Sequence, residues 1–335
     1  MSKSVATVVA KPSQREIGVV PALLSLCAIL VALPFLLPMA LAIDIVIIAV
    51  AAVAFGLMLG QAGMLSFGQS AFFGLGGYAA GLCVKTFDSS LIPALLAGAI
   101  AGGLGAAVVA FLTARLKDVY FILMTLAFAQ LVYFVALTWR VLTGGPSGLS
   151  GFSRPMLNLG LTQVSLASSN MFYLFAAAVL LSIVLVLLII LRSPLGLALR
   201  GMKDNHDRLE AIGYSVWRYR LLTFTATGVM TGISGALYAF QWQIVPVSAA
   251  SMNQSAAIAF MSILGGVGHP LGPIIGAVIY TWLSDVVSNY WARWPILFGA
   301  VLILIVFFMR GGLIQGLGRV AALTIHNRRP GGANH

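Results

Sequence analysis

The chain has 335 residues, 60% hydrophobic and 8% charged, with mean hydropathy +1.03 and a formal net charge of +11. Soluble domains carry about 25% charged residues, and no soluble fold could hide this much apolar surface, which excludes a globular enzyme on a single anchor. The positive balance does not point to nucleic acid, because the basic residues cluster at the ends of apolar runs, where they orient helices and meet anionic lipid.

Taken in order, the chain opens on Lys3, Lys11 and Arg15 ahead of the first apolar run. These resemble the n-region of a signal peptide, but no small-residue cleavage site follows, so an uncleaved first span is expected. A span needs about 20 mainly apolar residues. Candidates fall at 18–38, 43–60, 64–84, 91–114, 119–138, 171–191, 221–240, 255–269, 271–287 and 294–309. The expectation is an all-α, polytopic transmembrane bundle of about 10 segments (8–10). It comprises an N-terminal tail over 1–17, a membrane domain over 18–309 and a C-terminal tail over 310–335. With the N-terminus in the cytoplasm, fifteen basic residues fall inside and four outside (Lys85, Arg140, Arg154, Arg293). That asymmetry is the positive-inside bias.

The stretch Leu59–Gly81 is apolar yet carries Gln61, Ser66, Gln69, Ser70 and Tyr78. Each needs a partner at membrane depth or costs several kcal/mol. They either line a path for a polar solute or bond helices to one another, and Gln130 in the 119–138 span joins the same candidate lining. Glycines stand four apart at Gly77 and Gly81, Gly98 and Gly102, Gly228 and Gly232, and Gly272 and Gly276. That spacing puts each pair on one helix face and permits close backbone approach. Cys27 and Cys83 sit in apolar runs and read as small buried hydrophobes, with no metal spacing and no disulfide framework.

Residues 192–220 break the apolar pattern. This segment holds nine charges, six of them basic, between uncharged runs of 37 and 64 residues. A charge at the bilayer centre costs roughly 2.5–3.5 kcal/mol, so the segment lies in water, on the cytoplasmic side by its sign. The segment is either a solvated loop between spans or carries a short helix over about 203–214, for which Asp204 and Asp207 suit the first turn and Gly213 is a natural stop. Further on, Gly265, Gly266, Gly268, Pro270, Gly272 and Pro273 interrupt the run 255–287. That run is two short spans or a re-entrant pair. His269, inside the break, reads as a turn residue. Broken helices of this kind can turn freed backbone groups toward a substrate cavity.

No phosphate-binding G-x-x-x-x-G-K-[ST] loop is present, and GLGGYA at Gly74 has no acidic residue about 20 positions on, so it is not a dinucleotide fingerprint. The only acids within the spans, Asp44 and Asp285, lie near span ends, whereas ion-driven carriers show deeper ones. The energy for transport is therefore expected from outside the chain. The rival classes are a self-sufficient secondary carrier and a membrane-embedded enzyme.

Three blocks carry a family resemblance: GQAGMLSFGQSAFFGLGGYAA from Gly60, TLAFAQLVYFVALTWRVLTGGPSGLSG from Thr125, and SPLGLALRGMKDNHDRLEAIGYSVWRYRLLTF from Ser193, the last followed by ISGALYA and ILGGVGHPLGPIIGA. With them the chain, from about Ile43 to Arg310, resembles the permease subunits of bacterial branched-chain amino acid ABC importers, the M-type half of the pair. The resemblance implies a non-enzymatic transport subunit of the inner membrane. It implies a second homologous permease, two ATP-binding cassette ATPases that hold ATP and Mg, and a periplasmic substrate-binding protein, with no cofactor in this chain. It also implies that Glu210, Ala211 and Gly213 belong to a cytoplasmic coupling helix that docks in a cleft of the ATPase. The cargo implied is a branched-chain or other neutral amino acid, with urea or short amides as the alternative.

Overall fold

A helix that is apolar on every side has to be buried on every side, and Met39–Ala62 (α2) is buried along most of its length. In the computed structural model, residues 19–290 are described apart from 88, 114, 117, 159–162 and 165, together with 295–296, 299–300 and 303. The other helices of the first part of the chain are α1 (Val19–Leu36), α3 (Gln69–Phe87), α4 (Leu91–Thr113), α5 (Asp118–Thr138), α6 (Arg140–Thr143) and α7 (Ser169–Arg192). After them come α8 (Pro194–Asp204), α9 (His206–Ala211), α10 (Val216–Trp242), α11 (Met252–Gly265) and α12 (Gly272–Ser288). The only ladder among the described residues is a two-residue antiparallel pair, β1 (Leu157–Asn158) and β2 (Gln163–Val164), with Leu157 opposite Val164.

Among the described residues, five helices are long and apolar enough to cross a membrane: α2, α4, α5, α7 and α10. The expected count of about ten is therefore not established. α1 and α12 are shorter apolar helices, and α11, with 14 residues, reaches only about 21 Å against a hydrocarbon core of roughly 30 Å. The expected span 294–309 lies almost wholly outside the described residues. The expected span 64–84 starts late. α2 ends on Gly63 in the left-handed conformation (φ 70°), and the chain is irregular until Gln69.

Two of the four small-residue pairs read from the sequence face each other. On α4, Gly98 and Gly102 meet Gly228 and Gly232 of α10, and a Cβ added at Gly102 would lie 2.7 Å from the Gly232 Cα. Gly76 of α3 rests on the backbone of Gly232, so three helices converge with nothing but backbone between them. The region 255–287 is a hairpin of two short helices. Gly265 packs on the backbone of Gly272, and Gly276 packs on that of Met261 and Gly265.

Two stretches of non-helical chain run beside α3. Gly144, Gly145, Gly148 and Gly151 all take positive φ, and Leu149 exchanges backbone hydrogen bonds with Val245 at 3.0 and 2.9 Å. Beyond Val245, Ala250 sits against Gly74. The chain after α10 has thus descended along α3 before α11 begins, so α11 starts part-way down the bundle. Irregular backbone at such depth is tolerated where protein buries it or water lines it. The charges sort to two ends. One end gathers the α4–α5 turn, α8, α9 and the start of α10. The other gathers Lys85, Ser150, Arg154 and Trp242.

Candidate functional site

The charged segment is not a free connector. Lys203 donates to the Gly60 carbonyl in the last turn of α2 at 2.7 Å, a cation at a helix C-terminus. Arg220, 8% exposed, donates to the Leu116 carbonyl at 2.8 Å and contacts His206 Nε2 at 3.0 Å. α8 is thereby tied to α2, and α9 to the α4–α5 turn. The expected single helix over 203–214 is instead two. Asn205, extended at φ −164°, ends α8 and caps α9 by accepting from the Arg208 N–H at 2.9 Å. Asp204 therefore closes α8 rather than opening a helix, while Asp207 does lie in the first turn of α9. α9 stops at Ala211, and Gly213 takes φ +91° with open space around it. Leu209 faces inward, whereas Glu210, Ala211, Ile212 and Tyr214 are exposed. Ile212, 66% exposed, and Tyr214 are exposed apolar side chains that charge counting overlooked, since each is a single apolar residue in a polar stretch.

Of the polar residues at membrane depth, Ser66, Gln69 and Ser70 are fully buried. The Gln69 amide oxygen accepts from Thr231 of α10 at 2.7 Å, and its nitrogen lies 3.7 Å from Met58 Sδ of α2. Ser66 Oγ accepts from the Gly68 N–H at 3.0 Å. Ser255 of α11 accepts from the Ser70 N–H at 2.8 Å and donates to the Phe67 carbonyl at 2.7 Å, so it closes the open start of α3. Thr125 of α5 accepts from the Phe67 N–H at 3.3 Å. Sequence reading passed over Ser255 and Thr231 because isolated hydroxyls in apolar runs carry no signal of their own. Tyr78 is buried, and its hydroxyl has no partner among the described residues. It shares a helix face with Gly74 and Gly81, which meet Ala250 and Leu149 with Phe152. Gln130 lies elsewhere, exposed on α5.

The helix break forms the tight turn between α11 and α12. Gly266, at φ 105°, caps α11, and His269 Nδ1 accepts from the Leu271 N–H at 3.1 Å. Val267, His269, Pro270 and Pro273 line a shallow cleft shared with Gln61 and Gly56 of α2 and with Leu187 of α7. At the opposite end Arg154 donates to the Phe240 carbonyl at 3.3 Å, to Gln241 Oε1 at 3.0 Å and to the Leu166 carbonyl at 3.1 Å, 4.3 Å above the Phe172 ring. Nearby, Trp242 donates to Asp44 at 3.1 Å. Cys27 is exposed on α1, contrary to the expectation of a buried thiol, while Cys83 is half-buried beside Ser89. No group of three His, Cys, Asp or Glu able to hold a metal comes together among the described residues.

Residues 37–309 match the family described as branched-chain amino acid transport system / permease component. The chain belongs to that family. It is 25% identical over 316 residues to the high-affinity branched-chain amino acid transport system permease protein LivM of Salmonella typhimurium, covering 87% of this chain and 74% of the relative. The LivM of Escherichia coli K12 stands at 25% over 317 residues, with the same coverage. The autoinducer 2 import system permease protein LsrC of Enterobacter sp. is 28% identical over 250 residues, 72% of this chain and 69% of the relative. No solved structure matches. As a permease of this family the chain is a membrane protein whose relatives are transport subunits rather than enzymes. The matched range takes in both the anchored α8–α9 segment and the polar cluster at the start of α3.

Proposed function

We propose that this chain is one permease subunit of an ATP-binding-cassette importer and that, with a second homologous permease, it forms the inner-membrane path for branched-chain or other neutral amino acids. Two ATPase subunits supply ATP hydrolysis and hold ATP and Mg, and a periplasmic binding protein delivers the cargo. Both termini and residues 192–220 face the cytoplasm. The observation that carries the reading is α9. It is a one-and-a-half-turn helix held to the α4–α5 turn through His206 and Arg220 and preceded by α8, which Lys203 ties to α2; Glu210 and Ala211 at its end, and Ile212 and Tyr214 just beyond it, are exposed. A helix braced from behind against the ends of several others can pass a push from a soluble partner into the bundle. The relatives named for autoinducer 2 import favour a second cargo class on the same scaffold; urea or short amides are a third.

Ala211→Arg tests the docking. A surface change on a free loop stays within about ±0.5 kcal/mol, but a large cation in a filled cleft does not. The expected result is normal membrane insertion with much less ATPase copurifying, or ATP hydrolysis no longer stimulated by loaded binding protein. Glu210→Ala gives a milder loss. Parental values for both variants, with normal uptake, make the segment a mere connector. Competition of labelled leucine uptake by valine, alanine, urea and acetamide sorts the cargo.

A further inference from the structure

The polar groups on the outside of the bundle are not treated alike. Exposed hydroxyls on Ser182 and Thr138 return to carbonyls of their own helices at 2.8 Å, as Ser25 does at 2.9 Å, so lipid meets no unpaired group there. The exposed residues of α4 at Leu96, Ile100, Leu104 and Val108 are apolar throughout, as are Leu174, Leu185, Val186 and Ile189 of α7. The α5 and α11 side differs. Gln130 and Asn253 are exposed and Gln254 is half-buried, and none of these three side-chain amides has a hydrogen-bond partner among the described residues.

Their depth follows from the bonds around Phe67. Thr125 of α5 and Ser255 of α11 both bind its backbone, so these two residues share a level. α5 runs away from the α8 end and α11 runs toward it. Gln130 therefore lies about 8 Å and Asn253 about 3 Å from that level, on the same side of it. Gln130 is close to the middle of α5, which spans Asp118–Thr138. Asn253 lies between the levels of Ala250 against Gly74 and Ser255 against Ser70, beside the middle of the bundle. α11 begins there with no side-chain cap on its first turn, so its free N–H groups add donors at the same depth. An unpaired amide in hydrocarbon is costly enough that this face cannot be turned to lipid.

We infer that the exposed face of α5 and the first turn of α11 meet the second permease, and that Gln130, Asn253 and Gln254 form this chain's half of an uncharged polar ring around the solute at mid-membrane. The inference rests on the reading that a second permease completes the path. Amides offer donors and acceptors without net charge, which suits a zwitterion or a neutral polar solute and repels neither end of it. The partner surface it fits is a membrane helix face with hydrogen-bonding side chains at the same depth and apolar ones above and below, matching Leu123 and Phe134.

The test uses the assembled importer with Cys27 and Cys83 replaced by Ser. Single cysteines go in by Q130C, N253C and, on the α4 face, L104C. Cysteines at 130 and 253 should react with a water-borne cationic thiol reagent at least tenfold faster than at 104. Saturating substrate should slow them, and a short bifunctional thiol-reactive cross-linker should join them to a cysteine scan of the second permease. Q130L should cut uptake at least tenfold with unchanged copurification of all subunits. Reactivity at 130 and 253 no greater than at 104, or undiminished uptake in Q130L, overturns the inference. The parent importer separates this from the broader reading. If it assembles and transports while the cysteines stay silent, only the ring is wrong. If the chain transports with no second permease, both fall.

Discussion

Ser255 makes three contacts with one hydroxyl, accepting from the Ser70 N–H, donating to the Phe67 carbonyl and lying 2.9 Å from Ser70 Oγ. The first N–H groups of α3 have no partner within their own helix, and this serine from a helix 185 residues away supplies one of them. Ser255→Ala should therefore leave a buried donor and acceptor unmet and destabilise the detergent-purified protein by about 1–3 kcal/mol. Thermal unfolding followed by size-exclusion would show a lower midpoint, and an unchanged midpoint would mean water had replaced the hydroxyl. The glycines give a sharper contrast. Gly232→Ala pushes a methyl against the α4 backbone, with Gly102 Cα only 3.0 Å from the new Cβ. Overpacking of this kind costs about 1–3 kcal/mol, and since Gly98 presses on the same spot the upper end is expected. Gly213→Ala meets no atom within 4 Å and is disfavoured only by its φ of +91°. It should leave the bundle midpoint unchanged and alter only the end of α9, visible as faster amide exchange over 206–214.

The helices were legible where a local rule decides them and obscure where a distant partner does. Glycine pairs four apart announced a close helix contact, and Gly98 with Gly102 and Gly228 with Gly232 proved to be each other's partners. Gly213 announced the end of α9. Asp204 was misread, because Asn205 takes an extended turn that splits 203–214 into two helices and leaves Asp204 at a C-terminus. Gln69 was recognisable as a polar group needing a partner, but Thr231 lies 162 residues on, and no periodicity connects them. Arg154 counted only as one outer charge, yet it holds the last carbonyls of α10 from 86 residues away. α11 looked like a span because its composition is apolar. Its half-length start is set by the Leu149–Val245 bridge and the Ala250–Gly74 contact, and no window of hydropathy contains either. Within α9 the cap is the testable part. Asn205→Ala removes the acceptor for the Arg208 N–H and should weaken this six-residue helix by about 1 kcal/mol. So short a helix has little stability of its own. Amide exchange over 206–211 should therefore rise and ATPase copurification fall, while the thermal midpoint of the bundle stays put.

At the scale of the molecule, the two ends are chemically distinct before any membrane is considered. Lys203, Arg208, Arg218 and Arg220 gather where α8 and α9 close the bundle, with Arg115, Arg192 and Arg200 on the same side. The opposite end carries Lys85, tied to the Ser150 carbonyl at 3.0 Å, with Arg140 and Arg154. Among these residues the division is seven to three, the same direction as the fifteen to four of the whole sequence. Positive charge is retained on the cytoplasmic side during insertion, so the α8–α9 end should face the cytoplasm and the 139–168 stretch the periplasm. Ser150 and Ser215 report the two ends directly, since both are exposed and neither lies inside a span. With Cys27 and Cys83 replaced, a cysteine at 150 should react with an impermeant thiol reagent on intact cells, and one at 215 only after the membrane is opened. The converse pattern inverts the bundle. It would put Glu210 and Ala211 in the periplasm, out of reach of any ATPase, and remove the basis for coupling through α9.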